Sequence, residues 1–363
     1  MPKQEHWFPC DTCGADMRFD PDAAELQCDN CGNREPLARS TYVPEQIGEL
    51  DFRDAIDADI ADVDLETIRV LSCPNCGAQV EFDAAQHAAE CPFCATPMVT
   101  DTGEHRQIKP RGILPFSVSE SDGRDAMKQW LGSLWFAPNG LQDYAKKGRK
   151  LDGIYVPFWT FDAQTHSRYR GERGTVYYET KTVQRSGKSE QKRVQKVRWR
   201  RVSGQVARWF DDVLVLASKS LPKKFTDGLQ PWDLDGLEPY QPEYLAGFRA
   251  EGYTIDLGPG YQQARAIMDR RIHRDVKSDI GGDRQQVHNI QTKVSDVTFK
   301  HILLPVWMAA YKYRGKSYRF LVNGRSGQVQ GQRPWSGIKI AAAVVMLAIF
   351  AAAIGFFLAT QQQ

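Results

Sequence analysis

After Cys94 the sequence has no cysteine in its remaining 269 residues, so neither thiolates nor disulfides hold that long stretch together. Net charge is also scarce. The 47 Lys and Arg against 45 Asp and Glu leave +2, too little to imply a polyanionic partner for the whole molecule, although the charges fall in blocks. The first residues, MPKQEHWFPC, contain no apolar run fit for a secretory signal, which predicts a reducing, cytosolic setting for the N-terminal region and thiols that stay thiols. A phosphate-binding loop is missing: SGKSEQK would need glycine at position 182 and has Thr182, while RGKS before Tyr318 has Ala310 at the required position. The seven histidines are scattered, and no HExxH motif or Cys–His pair stands out. These absences point away from an enzyme.

The eight cysteines form four CxxC pairs in two units, CDTCGADMRFDPDAAELQCDNC (Cys10, Cys13, Cys28, Cys31) and CPNCGAQVEFDAAQHAAECPFC (Cys73, Cys76, Cys91, Cys94), displaced by 63 residues. A single CxxC is compatible with a redox pair, but the repeated frame points to tetrahedral metal coordination. Two tight turns can each present two thiolates about 2.3 Å from Zn²⁺, and a short hairpin can bring the turns face to face. The expectation is two structural Zn²⁺ per chain, with iron in a rubredoxin-like site as the alternative. Gly14, Gly32 and Gly77 follow the second cysteine of their pairs, where positive φ turns backbone N–H groups toward sulfur; Ala95 takes that place in the fourth pair. Four cysteine ligands leave no position for water, so the metal would fold the chain and perform no chemistry.

The pattern predicts an α+β fold in five parts: a zinc ribbon over 1–40, an acidic connector over 41–70, a second ribbon over 71–105, an α+β core over 110–335 and a transmembrane helix over 338–359. The connector holds nine acidic residues between Glu45 and Glu66 against Arg53 alone, and Phe52, Ile56, Ile60 and Val63 recur at helical spacing. In the core, Ser121 or Asp122 is expected to cap a helix that carries Ala126, Trp130 and Leu134 on one face and ends before Pro138. Aromatic and β-branched residues dominate Gly153 to Trp209, with a Ser-Gly turn signal inside, and a helical stripe follows at Ala264, Ile267, Met268, Ile272 and Val276 within Tyr261 to Ile280. IYVPFW and ILLPVW echo each other 148 residues apart, suggesting two related β halves in which Pro157 and Pro305 mark strand entries. Asn323-Gly324 is expected to supply positive φ in a turn.

Ile340 to Ala359 is twenty residues without a charge, and a helix of that length spans roughly 30 Å, the thickness of a bilayer's hydrocarbon core. Arg325, Arg333 and Lys339 precede it, and Thr360 with three glutamines follows. The positive-inside bias then predicts a single-pass tail anchor in the inner membrane, its N-terminal bulk in the cytoplasm and its C-terminus outside. Ala351 and Gly355 form a small-xxx-small pair that would let two such helices pack as a homo-oligomer.

Between Lys181 and Arg201 lie nine basic residues, Lys181, Arg185, Lys188, Lys192, Arg193, Lys196, Arg198, Arg200 and Arg201, against the single acid Glu190. The run reads as a solvated hairpin or as one cationic face, which would meet anionic headgroups, nucleic-acid phosphates or the chain's own connector.

With both ribbons, ILPF, WFAPN, GIYVPFWTFDA, YLAGF, FKHILLPVW, FLVNGRSGQVQGQRP and the terminal apolar helix, nearly the whole chain resembles a bacterial group of membrane-anchored zinc-ribbon proteins, the YdjG-like group. The ribbons alone are unspecific, since primosomal helicases and TFIIB have similar ones. The resemblance implies a non-enzymatic role in envelope stress beside a PspA-type membrane-remodelling protein and an SPFH-domain partner. The leading expectation is therefore an adaptor recruiting a protein partner to the bilayer. The alternative is a tethered nucleic-acid-binding regulator, disfavoured because the first ribbon is acidic, with Asp11, Asp16, Asp20, Asp22, Glu25 and Asp29 against Arg18.

Overall fold

The computed structural model describes residues 8–37, 47–56, 64–81, 88–93, 96–99, 103–136, 151–185, 188–313, 316–332 and 335–360. The first cysteine unit is a three-stranded meander of β1 (Met17–Asp20), β2 (Glu25–Cys28) and β3 (Arg34–Pro36). β4 (Leu50–Asp51) and α1 (Phe52–Ile56) follow in the connector. The second unit uses β5 (Leu65–Ser72), β6 (Gln79–Glu81), β7 (Ala88–Glu90), β8 (Pro97–Val99) and β9 (Gly103–Ile108), with β5 paired to both β6 and β9. Among the connector's described residues, β4, α1 and the start of β5 are regular structure. Of its helical stripe only Phe52 and Ile56 lie in α1; Ile60 and Val63 lie outside the described residues.

The core begins with β10 (Gly112–Ile113) and α2 (Glu120–Ser133), then three long strands, β11 (Asp152–Arg185), β12 (Lys188–Phe210) and β13 (Arg284–Tyr313), with α3 (Leu257–Ile280) between the second and third. β14 (Lys316–Asn323), β15 (Val329–Gly331) and α4 (Gly337–Thr360) complete it. β11 lies between β12 and β13, antiparallel to both. At about 3.3 Å per residue, the 34 residues of β11 trace roughly 110 Å, several times the usual strand length. The long strands form a blade.

The blade survives in water because one of its faces is covered. Ala163, Thr165, Ser167 and Tyr169 of β11 alternate inward, and α3 presents Ala264, Met268, Ile272, Val276 and Ile280, all buried, to the same side. The helix starts four residues before the expected Tyr261 because Gly258, Pro259 and Gly260, which read as breakers, occupy its first turn, where proline loses no helical hydrogen bond. Ile267 is only half-buried. In α2 the cap is Ser119, whose hydroxyl accepts from the Asp122 N–H, not Ser121 or Asp122. The cap lies two or three residues earlier than expected, and the buried stripe is Gly123, Met127 and Leu131, with Ala126 and Trp130 at its margin and Leu134 buried just past the helix end; Pro138 lies outside the described residues.

The two echoed segments pair with each other. Ile154 faces Val306, Pro157 faces Leu303 and Tyr155 faces Pro305. Both prolines thus sit inside long strands rather than at strand entries; each carbonyl accepts from a loop amide, Ala217 N at 3.0 Å for Pro157 and Gly324 N at 2.9 Å for Pro305. Trp159 and Trp307 are fully buried and make equivalent bonds. The Trp159 indole N–H donates to the Ile255 carbonyl at 2.8 Å and that of Trp307 to the Val118 carbonyl at 2.8 Å, in each case one residue before a helix N-cap. A Cβ on Gly260 would lie 2.7 Å from the Trp159 ring and one on Gly123 3.2 Å from the Trp307 ring, so each helix has a glycine where its tryptophan crosses. The turn after β14 uses Gly327 (φ 73), not Gly324, for positive φ, while the Asn323 side chain accepts from the Arg325 and Ser326 amides.

The connector is clamped to the foot of the blade. Leu50 and Asp51 pair with Phe299 and Thr298, Phe52 packs on Phe161 and Tyr261, and Lys300 Nζ lies 3.0 Å from Glu49 and 2.9 Å from Asp212. Trp159→Phe and Trp307→Phe each remove an indole donor from a part-buried carbonyl, and we expect each to cost about 0.5–1.5 kcal/mol. Equal shifts in chemical denaturation followed by tryptophan fluorescence are the expected result; a loss confined to one of the pair would break the equivalence.

Candidate metal centre

In the first unit, β1 and β2 pair in a register that sets Met17 opposite Cys28, and this hairpin carries the two CxxC turns to a common point. Each turn closes by the same bonds: Gly14 N donates to the Cys10 carbonyl and Cys10 N to the Ala15 carbonyl, with Gly32, Cys28 and Asn33 repeating the pattern, all at 2.8–2.9 Å. Such a turn needs a left-handed residue, and Gly14 (φ 71) and Gly32 (φ 74) supply it. The second unit repeats the geometry with Gly77 (φ 70), Gly77 N to the Cys73 carbonyl and Cys73 N to the Ala78 carbonyl. Cys91 N donates to the Thr96 carbonyl; Cys94 and Ala95 lie outside the described residues.

The Sγ atoms of Cys10, Cys13, Cys28 and Cys31 lie within 4.8 Å of one another, as do those of Cys73, Cys76 and Cys91. Cys10 and Cys31 are 3.6 Å apart, Cys13 and Cys28 3.5 Å, and Cys76 and Cys91 3.7 Å. A tetrahedron with metal–sulfur bonds of about 2.3 Å has edges of roughly 3.8 Å, so these spacings fit a four-coordinate thiolate site. All three are too long for disulfides, whose sulfurs lie about 2 Å apart.

Electrostatics within the first cluster also call for a cation. The Asn30 amide, the Ala15 backbone and the neighbouring thiols hold Cys13 down to about 6. Cys31 has a lowering hydrogen bond from the Asn33 backbone, yet Cys13, burial and the other thiols push it up to about 12. Crowded sulfurs cannot all ionise unaided, and a divalent ion removes that conflict. Zn²⁺ and Fe²⁺ both satisfy the donor set. Sequence reasoning missed the second ring of donors: Asn30 Nδ2 reaches Cys13 Sγ at 3.5 Å and Asn33 Nδ2 reaches Cys10 Sγ at 3.6 Å. A signal was present, since CDNC and CPNC both put asparagine before the second cysteine; Asn75 of the latter bonds Thr96 at 3.1 Å.

Both units are docked on the core. Phe19 N donates to the Ala246 carbonyl at 3.0 Å, and its ring packs on Tyr244 and Phe248. Gly252 N donates to the Gln79 carbonyl at 3.1 Å, and Leu71, Cys73, Val80 and Phe93 join one buried cluster with Ile154 and Leu304 of the blade. Between this unit and the core, burial pushes the Glu251 carboxyl up to about 8, and the Ser218 hydroxyl donates to it at 2.6 Å. The outer turns of the first unit stay exposed, with Asp11, Thr12, Asp29 and Asn30 on the surface.

The nine basic residues do not form one face. Cross-strand register and alternation place Lys181, Lys192, Lys196, Arg198 and Arg200 on the α3 side of the sheet and Arg193 and Arg201 on the other. Arg185 and Lys188 pair at the end of the hairpin, but their side chains, like the Ser-Gly turn, lie outside the described residues. Along the strands the run is also separated from the start of α4. The terminal helix starts near Phe136, whose carbonyl accepts from Ser336 N, close to the Trp130–Phe320 contact, and Phe320 pairs with Ala309. From Ala309 back to Arg284 and out along the hairpin, the strands trace roughly 100 Å.

A polar cavity of about 390 Å³ lies between the second unit and the core, lined by Gly77, Gln79, Gln107, Lys219, Tyr253, Thr254 and Asp256. In α4, Gly337–Ile354 has a mean hydropathy of 2.4 and none of it is buried, so it is not the core helix of this fold.

The chain is similar over 336 residues, at 25% identity and 92% of each chain, to a protein of Bacillus subtilis (strain 168) described as uncharacterized protein YdjG, which supports the YdjG-like resemblance. No protein-family model matches the chain. No solved structure matches it. Elemental analysis of reduced full-length protein should find about two ions per chain, Cys28→Ser should leave about one, and a chelator should lower the melting midpoint of the native chain more than that of the variant.

Proposed function

We propose that this chain is a non-enzymatic, tail-anchored adaptor at the inner membrane, its bulk facing the cytoplasm, that recruits a protein partner through its metal modules. What supports this reading is the pairing of an apolar helix, unburied from Gly337 to Ile354, with two cysteine clusters able to hold metal and seated on the core, the first unit's outer turns exposed. A closed thiolate site offers a surface instead of a reaction. Orientation rests on Arg325, Arg333 and Lys339 before the helix, and zinc is the metal assigned to both sites. The resemblance offers PspA-type or SPFH-type proteins as partners.

Deleting Ile340 to Ala359 should move the protein from the membrane pellet to the soluble fraction. Retention after an alkaline wash would remove the anchor. In pull-downs from crosslinked cells, Cys10→Ser with Cys13→Ser should cut partner recovery at least tenfold, and unchanged recovery would take the first module out of docking.

A further inference from the structure

Beyond Arg284 the blade loses its third strand, and β11 and β12 run on as a two-stranded ribbon for eleven residues each. Such a ribbon is marginal in water unless a third strand or a helix supports it. β12 is also the terminal strand of its sheet: among the described residues nothing pairs with its outer edge from Lys188 to Phe210. Asp283 takes the Val176 N–H at 2.7 Å, so even-numbered amides of β11 face away from β12, and odd-numbered amides of β12 therefore face outward.

The two faces beside that edge differ sharply. On the α3 side stand Arg173, Lys181, Lys192, Lys196, Arg198 and Arg200, with Arg173 directly opposite Arg200 and Lys181 opposite Lys192. Like charges placed directly across strands destabilise a sheet. Only part of this charge is balanced within the chain: Lys196 pairs with Glu179, Arg198 lies over the Tyr177 ring at 5.3 Å, and the Arg173 guanidinium donates to the Ile280 carbonyl. The opposite face carries Val176, Tyr178, Val197 and Trp199 between two cations, Arg193, which lies over the Tyr178 ring at 5.1 Å, and Arg201, 3.9 Å from Glu172; Tyr178 is 57% and Trp199 36% exposed, and farther along β12 Trp209 is 56% exposed.

We propose that the outer edge of β12, from Gln191 to Arg201, is a docking site for an extended segment of a partner protein in which acidic and apolar residues alternate, added to the sheet as a strand. Its acidic side chains lie beside Lys192, Lys196, Arg198 and Arg200, and its apolar ones beside Val197 and Trp199. Period-two alternation is the pattern that satisfies both faces at once. The open backbone edge decides for a polypeptide over nucleic acid or lipid headgroups of equal charge, because only another chain completes its hydrogen bonds. The same cations guard against a second copy, since two such edges repel. This contact adds to the adaptor reading and does not use the cysteine modules.

The test is fluorescence anisotropy with detergent-solubilised full-length protein and two synthetic ten-residue peptides of equal composition, one alternating Glu and Val, the other with its Glu in one block. The alternating peptide should bind at least tenfold more tightly. Lys192→Glu with Arg198→Glu should abolish that preference. Gln195→Pro, which removes an outward amide and leaves the ladder to β11 intact, should weaken binding at least fivefold, while Cys28→Ser should leave it unchanged and so separates this site from the metal-dependent one. Equal binding of both peptides, insensitivity to charge reversal, or displacement of the peptide by duplex DNA or phosphatidylglycerol vesicles at lower concentration would overturn the proposal.

Discussion

The antiparallel pairing of β11 with β13 is the constraint from which the rest of the structure follows. It joins Asp152 to Met308 at one end and Gly174 to Arg284 at the other, tying together segments more than a hundred residues apart. Along the way it places both buried tryptophans so that each holds the residue before a helix N-cap. Fixing the helices fixes the loops around Tyr244 to Gly252, and these carry both cysteine units. A backbone ladder of this length leaves little freedom in register, since a slip of one residue would turn every inward side chain out.

This arrangement changes what the metal modules can do. A 25-residue hairpin has too little core to fold alone, so metal must supply the missing stability. Here the units also borrow a core: Phe19 lies among aromatic rings of the central domain, and Val80 and Phe93 share a cluster with the blade. A module held at a fixed angle presents its turns in one orientation, which suits recognition better than a tethered one. The Asn30 and Asn33 amides aimed at sulfur serve the same end, since they hold the cysteines before any ion arrives.

Charge is distributed along the molecule with the same logic. Strands β11 and β12 with α3 and the start of β13 concentrate basic residues, while the first unit and the connector are acidic. The near-neutral total conceals a dipolar molecule, with one cationic extension and an acidic base clamped by Lys300 to Glu49 and Asp212.

By itself the sequence determined what depends on local chemistry. Spacing of the cysteines, with glycine after three of the four turns, specified two clusters able to hold a metal ion, because only a few backbone geometries place sulfurs within reach of one ion. Twenty uncharged residues specified a helix that, from Gly337 to Ile354, no part of this fold covers. The echo of IYVPFW and ILLPVW was legible too, but not that the two copies pair with each other, since sequence similarity carries no register. The tertiary structure alone decided that Pro157 and Pro305 lie inside strands, that Gly258 to Gly260 open a helix, and that the basic run divides between two faces. Each of those outcomes depends on which distant strand lies alongside, and hydrogen bonding between remote segments leaves no mark in the local pattern of residues.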